Sequence, residues 1–229
     1  MTSPAPTGLW RAVRAIVWKD LTAERRSREM LSAMLVFALL VIFSFNFALD
    51  LNPKARSSVS SGVLWVTFIF AGTLGLNRSL ASEKDHGGLD SLLLAPIERN
   101  AIYFGKAIAN LLFMFFVEAV VLPLYALLYN VNLFSPGLLL IIGLGSVGYV
   151  AVGTLLSSMA VQTRTREMLL PILLFPLTLP VLIAAVKGSA GFLSGLPWAD
   201  IRPWVNLLVV YDLMFIAVAF MVFDYIVEE

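Results

Sequence analysis

Glu118 stands alone in a long uncharged run, and Asp212 shares its run only with Asp224 near the end, in a chain that is 59% hydrophobic and only 14% charged. A carboxyl at a bilayer centre costs on the order of 2.5–3.5 kcal/mol on insertion scales, so one that is kept there must be protonated, hydrogen-bonded or wetted. No lysine or arginine lies inside any of the uncharged runs to offset either group. Glu118 follows Lys106 by 12 residues, which at 1.5 Å per residue is roughly 18 Å and close to a midplane. Asp212 follows Trp204 by eight and is placed nearer the outer boundary. The expectation is that Glu118 serves, in its ionised form, a polar path or a conformational switch. Asp212 is expected to be held neutral by a hydrogen bond from a neighbouring helix. Asp224, close to the end of its run, is expected to be interfacial.

Other chemistry is excluded by what the chain lacks. With no cysteine there is no disulfide framework, thiolate nucleophile or Cys-ligated metal. The single histidine, His86, rules out a two- or three-histidine metal site built by this subunit, and among acids and glycines it reads as a solvated loop residue. No phosphate-binding Gly-x-x-x-x-Gly-Lys loop, Gly-x-Ser-x-Gly elbow or His-Glu-x-x-His pair occurs, so neither a catalytic centre nor a metal site is expected. A net charge of +1, without a basic block, gives no footprint for nucleic acid.

The elements that must position the two carboxyls follow from the same composition. A soluble domain sits near 45–50% apolar and about 25% charged, and this chain departs from that on both counts. Charged residues divide it into six runs, 30–49, 57–77, 107–130, 136–163, 168–186 and 203–227, each matching the roughly 20 residues a helix needs to cross hydrocarbon. The fold class is therefore an all-α membrane protein with six transmembrane helices, in which the domain is 30–229 and residues 1–29 form a preceding segment. The first run has no small-residue cleavage signal after it and is expected to be retained. Six crossings put both termini on one side. That side carries twelve of the sixteen basic residues and the other only Lys54, Arg56, Lys187 and Arg202, so both termini are expected to be cytoplasmic.

Within 1–29, Leu9, Val13, Ile16, Val17 and Leu21 recur at helical spacing, with Arg11, Arg14, Lys19, Arg25 and Arg26 mostly elsewhere on the wheel. The pattern predicts an amphipathic helix lying in the cytoplasmic interface, with Trp10 and Trp18 at headgroup depth. In the fifth run, Pro171, Pro176 and Pro180 each remove a backbone donor, which predicts a kinked or broken helix with Thr178 bonding back to its own backbone. Pro176, Thr178 and Pro180 are accordingly candidate gate residues beside the polar-path candidates Glu118 and Asp212. Gly143, Gly145, Ser146, Gly148 and Gly153 form a small-residue face in the fourth run, expected to be a packing seam. Trp198 and Trp204 bracket the last outer loop as interfacial anchors.

The longest cytoplasmic loop, 82–100, divides into three parts. Gly87 and Gly88 form a hinge, Leu89, Leu92 and Leu93 make one apolar stripe on a short helix with Asp90 near its start, and Pro96 stops that helix. Together with Glu83 and the later Gly105-Lys106, this stretch resembles the coupling signature of type-2 ABC exporter permeases. Gly62-Val63-Leu64-Trp65-Val66 and Pro176-Leu177-Thr178-Leu179-Pro180 narrow the resemblance to the haem exporter protein B family, the membrane subunit of the cytochrome c maturation ABC complex.

The resemblance implies an ABC-2, or type V exporter-like, permease in a bacterial cytoplasmic (inner) membrane. Its coupling helix would dock on a separate ABC ATPase through Glu83, Gly87, Gly88, Leu89, Asp90, Leu92, Leu93 and Pro96. It further implies a second copy of the chain, a haem-handling membrane protein and a haem chaperone as partners, with ATP bound by the ATPase, haem in the complex and no cofactor on this chain alone. The implied role is haem handling or release of the haem-loaded chaperone. An exporter of lipid, glycan or drug built on the same coupling helix, or a non-transporting scaffold, are the competing readings.

Overall fold

A computed structural model describes residues 8–49, 53–85, 97–160 and 166–226, with side chains described over 8–49, 59–79, 97–159 and 170–222. The described residues form seven helices and no strand: α1 (Leu9–Ser27), α2 (Glu29–Leu49), α3 (Pro53–Asp85), α4 (Arg99–Tyr129), α5 (Pro136–Ala160), α6 (Arg166–Leu193) and α7 (Trp198–Ile226). Six of them, α2 to α7, are long and apolar enough to cross a membrane. The chain is an all-α, multi-pass membrane protein.

Helices overrun the uncharged stretches that announce them. The third crossing begins at Arg99 rather than at 107, the fifth continues past Lys187 to Leu193, and the sixth starts at Trp198 ahead of Arg202. A charged side chain ends an apolar run, but at a membrane boundary it extends toward water and the helix continues beneath it. Helix α3 also runs through Glu83 to Asp85, so Glu83 is helical. The other coupling candidates, Gly87, Gly88, Leu89, Asp90, Leu92, Leu93 and Pro96, lie outside the described residues.

Two helices form the centre. About 72% of the spanning window is buried in α3 and in α5, against 22–39% in the other four, so these two are wrapped on several sides while the rest each present a face to lipid. Helix α2 shows the peripheral pattern at its simplest. Met30, Met34, Ala38 and Ile42, four residues apart, are its buried ridge, while Val36, Leu40, Phe43, Phe45 and Phe47 point outward. Its hydrophobicity is nearly uniform around the wheel, because lipid is as apolar as the core and the sequence has no reason to distinguish them.

Helix α6 is continuous from Arg166 to Leu193 with Pro171, Pro176 and Pro180 inside it, so of the kinked or broken helix expected, the break does not occur. Each proline removes one hydrogen bond of the ladder, but the bonds on either side survive, and α6 is held along its length by α3, α5 and α7.

The N-terminal helix differs more. The apolar stripe of α1 is not spent on lipid: Ala12 and Val13 pack with Ala101, and Ile16 packs on Gly105, where a Cβ would come within 2.8 Å of it. Lys106 Nζ donates to Asp20 Oδ2 at 2.7 Å, closing the same interface, and both side chains are nearly buried. The turn into α2 is one residue. Arg28 takes a left-handed conformation (φ 56°), its N–H reaches the Glu24 carbonyl at 2.7 Å, and the Glu24 carboxylate accepts the Leu31 N–H at 2.8 Å. Glu24 therefore caps the start of α2 from the previous helix, where its charge also meets the positive end of the helix dipole. Removing it with Glu24→Ala should cost about 1 kcal/mol, read as a lowered unfolding temperature of the detergent-solubilised protein, and Glu24→Gln should recover part of the loss.

Candidate functional site

A short stretch of α5, residues 145–149, receives side chains from four helices. Gly145 takes the Trp65 indole of α3, with no room for a Cβ. That indole is held on its other side, since Trp65 Nε1 donates to Ser189 Oγ of α6 at 3.0 Å and Phe68 meets the ring edge-on. Ser146 donates to the Glu118 carboxylate of α4. The Gly148 notch receives Asp212 of α7, together with Val181 and Tyr211. The Tyr149 hydroxyl lies 2.7 Å from that of Thr73, and both reach the Ile69 carbonyl, at 2.9 and 2.8 Å. Gly143 faces open space and Gly153 takes Leu76. The expected single small-residue face is thus distributed: Gly145 and Gly153 admit α3, Ser146 meets α4, and Gly148 admits α7. A helix enclosed on several sides needs small residues all round, not along one seam.

The hydrogen bond expected for Asp212 is found at Glu118. Glu118 is 3% exposed and has its partner in Ser146. Asp212 is 5% exposed, and neither of its oxygens has a hydrogen-bond partner among the described residues. It also lies deeper than its distance from Trp204 suggests. Helix α7 begins at Trp198 and ends at Ile226, so Asp212 has about 21 Å of helix on either side. Leaving a buried carboxyl without donors is expensive, and the sequence contains nothing that would predict it. Histidine, cysteine, aspartate and glutamate do not gather into any metal-holding group among the described residues.

Asp212 is tied to the proline helix. Its neighbour Tyr211 donates from the hydroxyl to the Leu177 carbonyl at 2.6 Å, and Val181 shares the Gly148 notch. Asp212 and the stretch holding Pro176, Thr178 and Pro180 are therefore brought together between α5, α6 and α7, whereas Glu118 lies on another side of α5. Thr178 does bond back, to Leu174 O at 2.9 Å and Phe175 O at 3.3 Å. Pro176 and Pro180 withdraw donors from the carbonyls of Ile172 and Pro176, so the Thr178 bonds fall beside the deprived carbonyls and not on them. Ser146, Tyr211 and the Trp65–Ser189 pair were not legible as partners in sequence. A lone serine between glycines opposite a lone carboxyl was the one available signal for the first.

At the other end of α4 a second polar set joins helices. Asn110 Nδ2 donates to Thr154 Oγ1 at 3.1 Å and the Tyr103 hydroxyl to the Ala151 carbonyl at 3.0 Å, both between α4 and α5. Such bonds are retained in lipid because the alternative is an unsatisfied group in hydrocarbon.

The family model described as CcmB protein matches residues 11–227, from the first turn of α1 to the end of α7. The chain belongs to the CcmB protein family. Several curated relatives agree along most of their length. Heme exporter protein B of Rhodobacter capsulatus is 28% identical over 194 residues, 82% of this chain and 88% of the relative. The protein of the same name from Pseudomonas aeruginosa is 28% identical over 185 residues, 80% and 82% of the two chains. That of Haemophilus influenzae is 30% identical over 175 residues, 74% and 77%. The family read from Gly62-Val63-Leu64-Trp65-Val66 and the Pro-Leu-Thr-Leu-Pro element is thus the right one; in this chain Trp65 of the first sits in the Gly145 notch and Thr178 of the second donates to the Leu174 carbonyl.

Proposed function

We propose that the chain is the membrane permease subunit of an ABC transporter system for haem handling in cytochrome c maturation. It would couple ATP hydrolysis by a separate ATPase to movement of the transmembrane helices and to release of the haem-loaded chaperone. The observation that carries this reading is the family match over residues 11–227, joined to relatives named heme exporter protein B. The sequence carries no ATP-binding loop, which supports placing hydrolysis on a partner. Segment 82–100 is the docking point, with Leu89, Leu92 and Leu93 as its apolar stripe; a second copy of the chain, a haem-handling membrane protein and the chaperone complete the assembly. Asp212, with Pro176, Thr178 and Pro180, forms the polar path and gate; Glu118, the other candidate, is held by Ser146. The site of action is a bacterial inner membrane with both termini cytoplasmic, as the twelve-to-four distribution of basic residues favours.

The test is complementation. In a bacterium lacking its own permease of this family, the chain co-expressed with its ATPase should restore covalent haem on c-type cytochromes. Leu93→Asp, which puts a charge on the docking stripe, should abolish both restoration and ATPase co-purification while membrane insertion stays normal. Full restoration by Leu93→Asp with the ATPase still bound would remove 82–100 from the interface. Orientation has its own measurement: a reporter active only outside the cytoplasm should be active after Asn52 or Ser194 and silent after Asp90 or at the C-terminus. Strong activity after Asp90 would invert the assignment.

A further inference from the structure

Helix α1 has two sides, and only one is used by the fold. Ala12, Val13, Ile16 and Glu24 are buried, and Asp20 is nearly so. The opposite side carries Trp10 and Trp18, 76% and 73% exposed, and the exposed arginines Arg11, Arg14, Arg25 and Arg26. At 3.6 residues per turn, Trp10, Arg14, Arg25, Trp18 and Arg11 fall in that order within an arc of about 100°. None of these arginines forms an ion pair among the described residues. The two acids of α1 are committed inward, Asp20 to Lys106 and Glu24 to the Leu31 N–H. The exposed side is therefore an uncompensated array of guanidinium groups interleaved with two indoles.

Its height in the membrane follows from what α1 touches. Through Arg28 it turns directly into α2, whose uncharged run begins at Met30, and it packs on Ala101 and Gly105, in the first two turns of α4, just ahead of the run that begins at Ala107. Both neighbours place α1 at the hydrocarbon boundary. Tryptophan is favoured at that depth, and two indoles this exposed are poorly accommodated in water. Guanidinium groups bind phosphate oxygens bidentately, and clusters of basic residues beside a spanning helix are attracted to anionic lipid. We propose that the Trp10–Arg14–Arg25–Trp18–Arg11 side of α1 is a binding surface for the phosphate headgroups of anionic phospholipid. The apolar stripe, which an isolated amphipathic helix would bury in lipid, holds α1 to α4, and the polar side makes the lipid contact. The proposal does not depend on the transport reading.

The full chain, purified in neutral detergent, is equilibrated with equal amounts of phosphatidylglycerol and phosphatidylcholine, and the lipid it retains is counted by mass spectrometry. Wild-type protein should retain phosphatidylglycerol in excess. The excess should vanish in the triple variant Arg11→Gln/Arg14→Gln/Arg25→Gln and in high salt, and persist in the corresponding triple lysine variant. The unfolding temperature should not change, since all three side chains are exposed. In bilayers containing phosphatidylglycerol brominated near the headgroup, tryptophan emission should be quenched, and the quenched fraction should fall in Trp10→Phe/Trp18→Phe. No phosphatidylglycerol excess in the wild type, or an undiminished excess in the glutamine variant, would overturn the proposal. An undiminished excess together with loss of ATPase co-purification would assign the surface to a protein partner instead.

Discussion

Gly145→Leu is expected to prevent accumulation of folded protein. A Cβ alone at 145 already collides with the Trp65 ring, and the indole has no retreat, pinned as it is by Ser189 and by the edge contact with Phe68. Overpacking a close-packed core costs about 1–3 kcal/mol, and a whole isobutyl group against a fully buried indole belongs at or above the top of that range. The measurement is the yield and unfolding temperature of the protein extracted in mild detergent. Shrinking the partner separates collision from any other defect: Trp65→Leu should lose stability alone, yet Gly145→Ala in that background should cost less than Gly145→Ala in the wild type. Equal costs in both backgrounds would mean that the two sites do not share the space.

The second large effect is functional and concerns the carboxyl without a partner. Asp212→Asn keeps size and hydrogen-bonding capacity in the Gly148 notch but removes an ionisable group from the middle of α7. Since a carboxyl at that depth opposes insertion by about 2.5–3.5 kcal/mol, relieving part of the penalty should leave the protein at least as stable as wild type, with a gain of ~1 kcal/mol. Cytochrome maturation should nevertheless be lost, because a costly group with no structural partner is explained by what it does and not by what it holds. Glu118→Gln should behave oppositely. The amide oxygen still accepts from Ser146, so both fold and maturation should survive. Normal maturation in Asp212→Asn, scored as covalent haem on c-type cytochromes in the complementation strain, would leave Asp212 with a packing role.

The order of these two carboxyls is where sequence and structure part. Distance from Lys106 made Glu118 the deeper and more suspect group, and distance from Trp204 made Asp212 the shallower one. Both estimates measured from the last obvious polar residue, but helices ignore that landmark: α4 starts at Arg99 and α7 at Trp198. The hydrogen bond expected for Asp212 falls to Glu118 instead, because the donor, Ser146, projects from α5 toward α4.

What the sequence determined by itself is what a bilayer imposes one segment at a time: the all-α class, six crossings and the family. Each follows from local composition or a short motif, since every crossing must satisfy its own backbone and hide its own charges whatever its neighbours do. Tertiary structure alone decided which helices are central, that α1 gives its apolar stripe to α4, that three prolines leave α6 unbroken, and which carboxyl has a partner. In water, a hydrophobic stripe tells which face is inward. In lipid both faces are apolar, so the direction in which Ser146, Gly148 and Asp212 point depends on contacts that no periodicity encodes.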